Sequence, residues 1–158
     1  MKLHVVAVGL RPPAWVRAGF EDYARRMPRE LPLGLIEIRP SRRASASEAL
    51  LARARAEEAE RIVAAMPTGS VKIALDEHGR TLSTAQMAKQ FEQWMRQGRD
   101  LCFVIGGADG LDEGFKRSAD MRLSLSALTL PHALVRVVIA EQLYRVVSLI
   151  RNHPYHKE

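Results

Sequence analysis

At 158 residues and 17.7 kDa, the chain has room for one ordinary domain. Apolar residues make up 47% of it and charged residues 27%, which is enough to bury a core and too hydrophobic for wholesale disorder; the longest apolar runs, such as Val137–Ala140, fall far short of the ~20 residues a membrane span requires. The 24 Lys and Arg against 18 Asp and Glu give a net charge of +6, consistent with either a polyanionic partner drawn in by long-range attraction or a merely basic surface.

In chain order, Leu3–Val8 is an apolar run shorter than a signal-peptide core and without a small-residue cleavage site after it, so it reads as a first strand. A first helix carries Trp15, Phe20 and Tyr23 at helical spacing and stops before Pro28 and Pro32. Leu33–Ile38 is the second strand. The Ala- and Arg-rich stretch that follows interleaves Glu57, Glu58 and Glu60 and predicts a solvated helix over Ala49–Met66, ended by Pro67 and Gly69. Val71–Leu75 is the third strand, and the next helix carries Met87, Phe91, Trp94 and Met95. Leu101–Ile105 and Met121–Leu125 are the fourth and fifth strands. Ser45-Ala46-Ser47-Glu48 and Ser83-Thr84-Ala85-Gln86 each fit the pattern in which a hydroxyl and a carboxyl or amide satisfy the free N–H groups of a helix start. Short apolar strands alternating with helices predict an α/β fold with a largely parallel sheet, one domain over residues 1–158. Cys102 stands alone inside an apolar run, so its expected role is packing, no internal disulfide forms, and a reducing cytoplasm is the expected compartment.

The last helix is apolar on nearly every side, from Leu134 through Val138, Leu143 and Val147 to Ile150, with Pro131 in its first turn. One sheet face does not bury such a helix, which predicts a homodimer with this helix in the interface. Glu141 and Arg145, four apart with the acid first, read as an intrahelical pair or as charges at the interface or active site.

Four constellations are candidates for chemistry. Gly106-Gly107-Ala108-Asp109-Gly110 follows the fourth strand directly; its glycines permit a sharp turn and close backbone approach to a small molecule, or form a plain strand-to-helix turn. It matches neither the dinucleotide fingerprint nor the P-loop. Asp76-Glu77-His78-Gly79-Arg80 follows the third strand at the edge where α/β sheets collect ligands, and three consecutive acid and imidazole side chains rarely converge on one ion, so no metal is expected. Leu123 to His132 mixes leucines with hydroxyls, suited to wall a purine ring and present backbone groups to its edge, or to serve as an irregular core crossover. The closing Arg151-Asn152-His153-Pro154-Tyr155-His156-Lys157 packs cations, imidazoles and a ring, suited to phosphates and to stacking on an unpaired base, or is a disordered tail, the usual fate of a last heptad. Arg39, Arg42 and Arg43 are either contacts to a polyanion's phosphates or a solvated basic loop, and His4 reads as a satisfied buried histidine.

Leu75-Asp76-Glu77-His78-Gly79-Arg80, Phe103-Val104-Ile105-Gly106-Gly107-Ala108-Asp109-Gly110, Leu123 to His132, Arg136-Val137 and Asn152-His153-Pro154-Tyr155-His156-Lys157 occur in order over the whole chain. Together they resemble the family of ribosomal RNA large subunit methyltransferase H. The resemblance implies a single-domain SPOUT methyltransferase whose C-terminal part is threaded into a trefoil knot, working as a homodimer. It implies S-adenosylmethionine bound at Leu75, Gly106 and the run Leu125, Ser126, Ala127, Leu128, Thr129 and Leu130, mainly through backbone groups. It implies methylation of N3 of a pseudouridine in helix 69 of 23S rRNA on assembled ribosomes, with His153 first among candidates for proton removal and Tyr155, His156 and Arg136 next. The tail of one subunit is expected to close over the cofactor of the other. The alternatives are a non-catalytic ribosome-binding protein, which would bind no cofactor, and a nucleotide-dependent enzyme for a soluble metabolite, which would lack salt-sensitive RNA affinity.

Overall fold

A computed structural model of the chain describes residues 1–42 and 47–157. Five parallel strands, β1 (Leu3–Val8), β2 (Leu33–Ile38), β3 (Val71–Thr81), β4 (Leu101–Ile105) and β5 (Met121–Ser124), form one sheet in the order β2-β1-β4-β3-β5. Alternation along the strands sorts the core into two layers. Leu3, Val5, Ala7, Phe103 and Ile73 face α1 (Ala14–Arg26), α3 (Thr84–Gln97) and α5 (His132–Ile150), meeting Phe20, Phe91, Ile139 and Leu143. Val6, Val8, Ala74 and Val104 face α2 (Glu48–Ala65) and the short α4 (Glu113–Ser118), meeting Ile62 and Phe115. Strands buried on both faces are why these runs read as continuously apolar. Full burial of a side chain such as Phe91, Phe103 or Ile73 contributes roughly 1.5–3 kcal/mol each.

Five sequence expectations change. β3 continues past Leu75 to Thr81: both Leu75 and Arg80 pair with Leu123, so residues 76–79 form an excursion after which pairing resumes. The capping pattern at Ser83 holds, with Ser83 Oγ accepting from Gln86 N–H at 3.1 Å and Gln86 Oε1 accepting from Ser83 N–H at 2.8 Å. At α2, however, the cap is Ser47, whose hydroxyl accepts from Leu50 N–H at 3.4 Å; Ser45 lies outside the described residues, as does Arg43. Pro131 caps α5 with extended ψ instead of entering its first turn. α4 was not expected at all, and Met121–Leu125 ends as a strand at Ser124.

α5 lies on the sheet with α1 and α3 packed against it, so much of its all-round hydrophobicity is covered within the chain. None of its residues after His132 is fully exposed; Leu134, Val137 and Val138 remain half-buried. Trp15, expected on an apolar helix face, is 61% exposed on α1, while Val137 packs against Gly19 one turn further along that helix. The outer surface left apolar is therefore a patch at the N-terminal half of α1 and α5, smaller than the sequence implies. Among the described residues, no helix is long and apolar enough to cross a membrane.

Candidate cofactor cleft and C-terminal tail

Parallel strands send all their following loops to one edge, and the chain reverses direction in the sheet between β3 and β4, a position where open α/β sheets bind ligands. The loops after β3, β4 and β5 converge there on a cleft of about 600 Å³. Leu75, Gly106, Leu125, Ser126, Leu128, Thr129 and Leu130 all line it; Ala127, expected with them, does not. Arg55 of α2, Lys116 of α4, and His132 and Val135 of α5 complete the wall.

Each loop has a local reason for its shape. A Cβ on Gly106 would sit 2.6 Å from the Gly110 carbonyl carbon, and Gly110 has φ +79°, so the turn between them requires glycine at both positions. A Cβ on Gly79 would sit 2.7 Å from the Arg122 carbonyl carbon, which is how the β3 excursion lies flat against β5. In the 125–130 segment, Ser124 Oγ donates to Ser126 C=O at 3.0 Å and Leu128 N–H donates to Ser126 Oγ at 2.9 Å. This folds the segment into a turn and leaves Leu128 75% exposed at the mouth.

The electrostatic centre is Asp76, whose side chain is 8% exposed. Burial disfavours its charge, but the Arg122 guanidinium (2.6 Å to Oδ2), the His78 N–H and the Lys116 ammonium at 3.8 Å outweigh that and hold the carboxyl below its ordinary value. Thr129 Oγ1 donates to Glu77 at 3.3 Å, joining the β5 segment to the β3 excursion. Among the described residues, no three His, Cys, Asp or Glu side chains gather as a metal site.

Of the four residues expected to do chemistry, His153, Tyr155 and His156 lie at the far end of α5 from the cleft, whereas Arg136 directly follows Val135 of the cleft wall. α5 runs about 27 Å from His132 at the cleft to Ile150. His153 is fastened at the far end through its N–H to Ser148 C=O at 2.8 Å, with its side chain exposed. Tyr155, expected to stack on a base, is buried in a 3-10 turn (Pro154–Lys157). Its ring lies 4.6 Å from that of Tyr144, Arg145 stands 4.9 Å over it, and its hydroxyl donates to Glu141 at 3.1 Å beside Tyr23 at 3.3 Å. Burial, the Tyr23 hydroxyl and the Glu141 charge all push the Tyr155 phenol above its usual range. Arg136 is 2% exposed and grips Glu37 at 3.0 Å and the Gly9 carbonyl at 2.9 Å, tying α5 to the ends of β2 and β1. The sequence placed Tyr155 and Arg136 among catalytic candidates; the structure shows both buried with fixed partners, in the tail and on α5. His156 Nδ1 likewise bonds the His153 carbonyl.

An α/β sheet with a cleft of this size at its carboxyl edge, built from glycine and leucine-hydroxyl loops, is the kind of place where α/β proteins bind nucleotide- and nucleoside-like ligands. A family model described as predicted SPOUT methyltransferase matches residues 1–156, and the chain belongs to that family. It is 52% identical over 158 residues to the ribosomal RNA large subunit methyltransferase H of Dechloromonas aromatica (strain RCB), covering 100% of this chain and 99% of the relative. It is 50% identical over 157 residues to the protein of that name from Janthinobacterium sp. (strain Marseille), covering 99% of each chain. The Thiobacillus denitrificans protein of the same name is 50% identical over 158 residues, covering 100% of each.

Proposed function

We propose that the chain is an S-adenosylmethionine-dependent methyltransferase that methylates N3 of a pseudouridine in helix 69 of 23S rRNA on assembled ribosomes. It acts as one domain and as a homodimer, in the cytoplasm. The observation that carries the reading is the convergence of seven motif residues from three loops on one cleft. The names of relatives matched end to end support the substrate class.

The cleft chemistry fits the cofactor. Leu75, Leu128 and Leu130 supply apolar walls for an adenine ring, Ser126 and Thr129 supply hydroxyls, and the turn at Gly106 lets backbone groups approach closely. S-adenosylmethionine, when bound, supplies a methyl group made electrophilic by its sulfonium. The chain's own tasks are then to hold the acceptor in line at about 3 to 3.5 Å and to take the imide proton. His153, an exposed imidazole at the start of the tail, is the candidate for the second task. Tyr155 and Arg136 hold the tail and α5 in position for it.

His153 stands about a helix length from the cleft of its own chain. Antiparallel packing of two α5 helices would set the tail of one subunit beside the cleft of the other, and the half-buried Leu134, Val137 and Val138 with the exposed Trp15 offer an apolar surface for that packing. Mixed dimers test this. Gly106→Ala and His153→Ala homodimers each transfer methyl to ribosomes at about a hundredth of the wild-type rate or less. Their equimolar exchange mixture recovers about a quarter of wild-type activity, because each heterodimer keeps one intact site. No recovery would contradict sharing between subunits, and a wild type that binds no cofactor would leave the ribosome-binding protein as the better reading.

A further inference from the structure

We propose that Arg39 and Arg42, on the loop after β2, together with Arg11 on the loop after β1, form a phosphate-binding track that leads the RNA backbone to the cleft. The inference rests on the rRNA reading above and assigns the surface that meets the nucleic acid. Because the sheet is parallel, both loops stand on the cleft edge. Strands are spaced about 4.8 Å apart, so the loop after β2 lies roughly 10 to 15 Å from the loops of β4 and β3 that build the cleft. That is the reach of a few nucleotides.

Arg11, Arg39 and Arg42 are all exposed, and among the described residues their guanidinium groups enter no ion pair. The contrast is with α2 nearby, where Arg53 pairs with Glu57 and Arg55 with Glu48. The loop after β2 is also held at Arg39 and Ser41. Glu58, 2% exposed on α2, accepts from the Ser41 N–H at 3.1 Å, and Arg61 donates to the Arg39 carbonyl at 2.9 Å and to Ser41 Oγ at 3.0 Å. Burying a carboxylate costs several kcal/mol unless it is bonded, so a buried acid that holds a loop backbone marks a loop whose conformation matters. Arg11 is a non-glycine residue at φ +53°, a strained conformation of the kind that concentrates at binding sites. The Arg136 bond to Gly9 on one side and Pro12-Pro13 on the other hold it there. Guanidinium forks carried on a held backbone, without acidic partners, match phosphate oxygens in shape and charge.

The test sediments unmodified ribosomes with the wild type, with an Arg39→Glu/Arg42→Glu variant and with a Lys89→Glu/Arg96→Glu variant, which makes the same change of net charge on exposed positions of α3. Between about 50 and 200 mM salt, the loop variant should bind about tenfold more weakly at the low end, and its log–log salt slope should fall by about 1.4 to 1.8, the value of two phosphate contacts. The α3 variant should stay within about twofold of wild type. Adding Arg11→Glu should weaken binding further, and matching thermal midpoints and S-adenosylmethionine affinities check that all variants fold. Unchanged binding by the loop variant, equal weakening by the α3 variant, or a wild type that binds no ribosomes would overturn the assignment. Methyl transfer measured in the same samples reports on the underlying reading separately: arginine-dependent binding without transfer keeps the surface and rejects the reaction.

Discussion

At the scale of single residues, the site depends on two kinds of position. Gly106 was legible in the sequence because consecutive glycines directly after an apolar strand signal a backbone that must turn within one residue; the 2.6 Å approach to Gly110 gives that signal its steric cause. Asp76 was legible only as a weak metal candidate, since the partner that defines its role, Arg122, is 46 residues away in sequence and no local pattern announces it. Its carboxyl is held below the ordinary value, so its ionisation contributes stability that is complete above the unfolded-state pKa near 3.9 and is lost as pH falls through the lower folded value. Asp76→Asn should therefore destabilise the protein by about 1–3 kcal/mol at pH 7, where Arg122 and Lys116 lose their counter-charge. Urea midpoints should show the gap to wild type closing below about pH 4. A gap that stayed constant down to pH 2.5 would mean that the carboxylate charge is not what matters there.

At the scale of elements, four strands were legible to within one residue because they are short apolar runs bounded by Pro, Gly and charge. β3 was not, because pairing resumes at Arg80 after a polar excursion that looks like a loop. α4, with six residues, is too short to show helical periodicity, although Asp112 caps it by accepting from Phe115 N–H at 2.9 Å. The tail is the element whose role the structure revises most. A last heptad rich in cations and rings reads as free to bind, yet Tyr155 locks it onto Tyr23, Tyr144 and Glu141. Its phenol is pushed above the usual range and its hydroxyl donates to Glu141, the behaviour of a hydrogen-bond donor. Tyr155→Phe should cost about 0.5–1.5 kcal/mol of stability and leave the shape of the pH–rate profile between pH 6 and 9 intact. Loss of the acidic limb in that variant, with stability unchanged, would return Tyr155 to the proton-transfer step.

At the scale of the whole molecule, the sequence predicted the layered α/β architecture from alternation alone, whereas the SPOUT assignment came from ordered motifs, because no periodicity encodes which loops meet. The structure supplies that meeting: three loops distant in sequence close one cleft, while the tail histidine stands at the opposite end of α5. It also narrows the dimer argument from a helix apolar on every side to a patch around Trp15, Leu134, Val137 and Val138, since α1, α3 and the sheet cover the rest. The candidate cofactor cleft and the proposed arginine track lie side by side at one edge of the sheet, the arrangement expected of an enzyme that brings a methyl donor to an RNA. The most direct measurement is methyl transfer from labelled S-adenosylmethionine to ribosomes from cells lacking the modification, with the modified nucleotide mapped by mass spectrometry. The account predicts label on N3 of the helix 69 pseudouridine, abolished by Gly106→Ala; cofactor binding with label at another nucleotide, or with none, would contradict it.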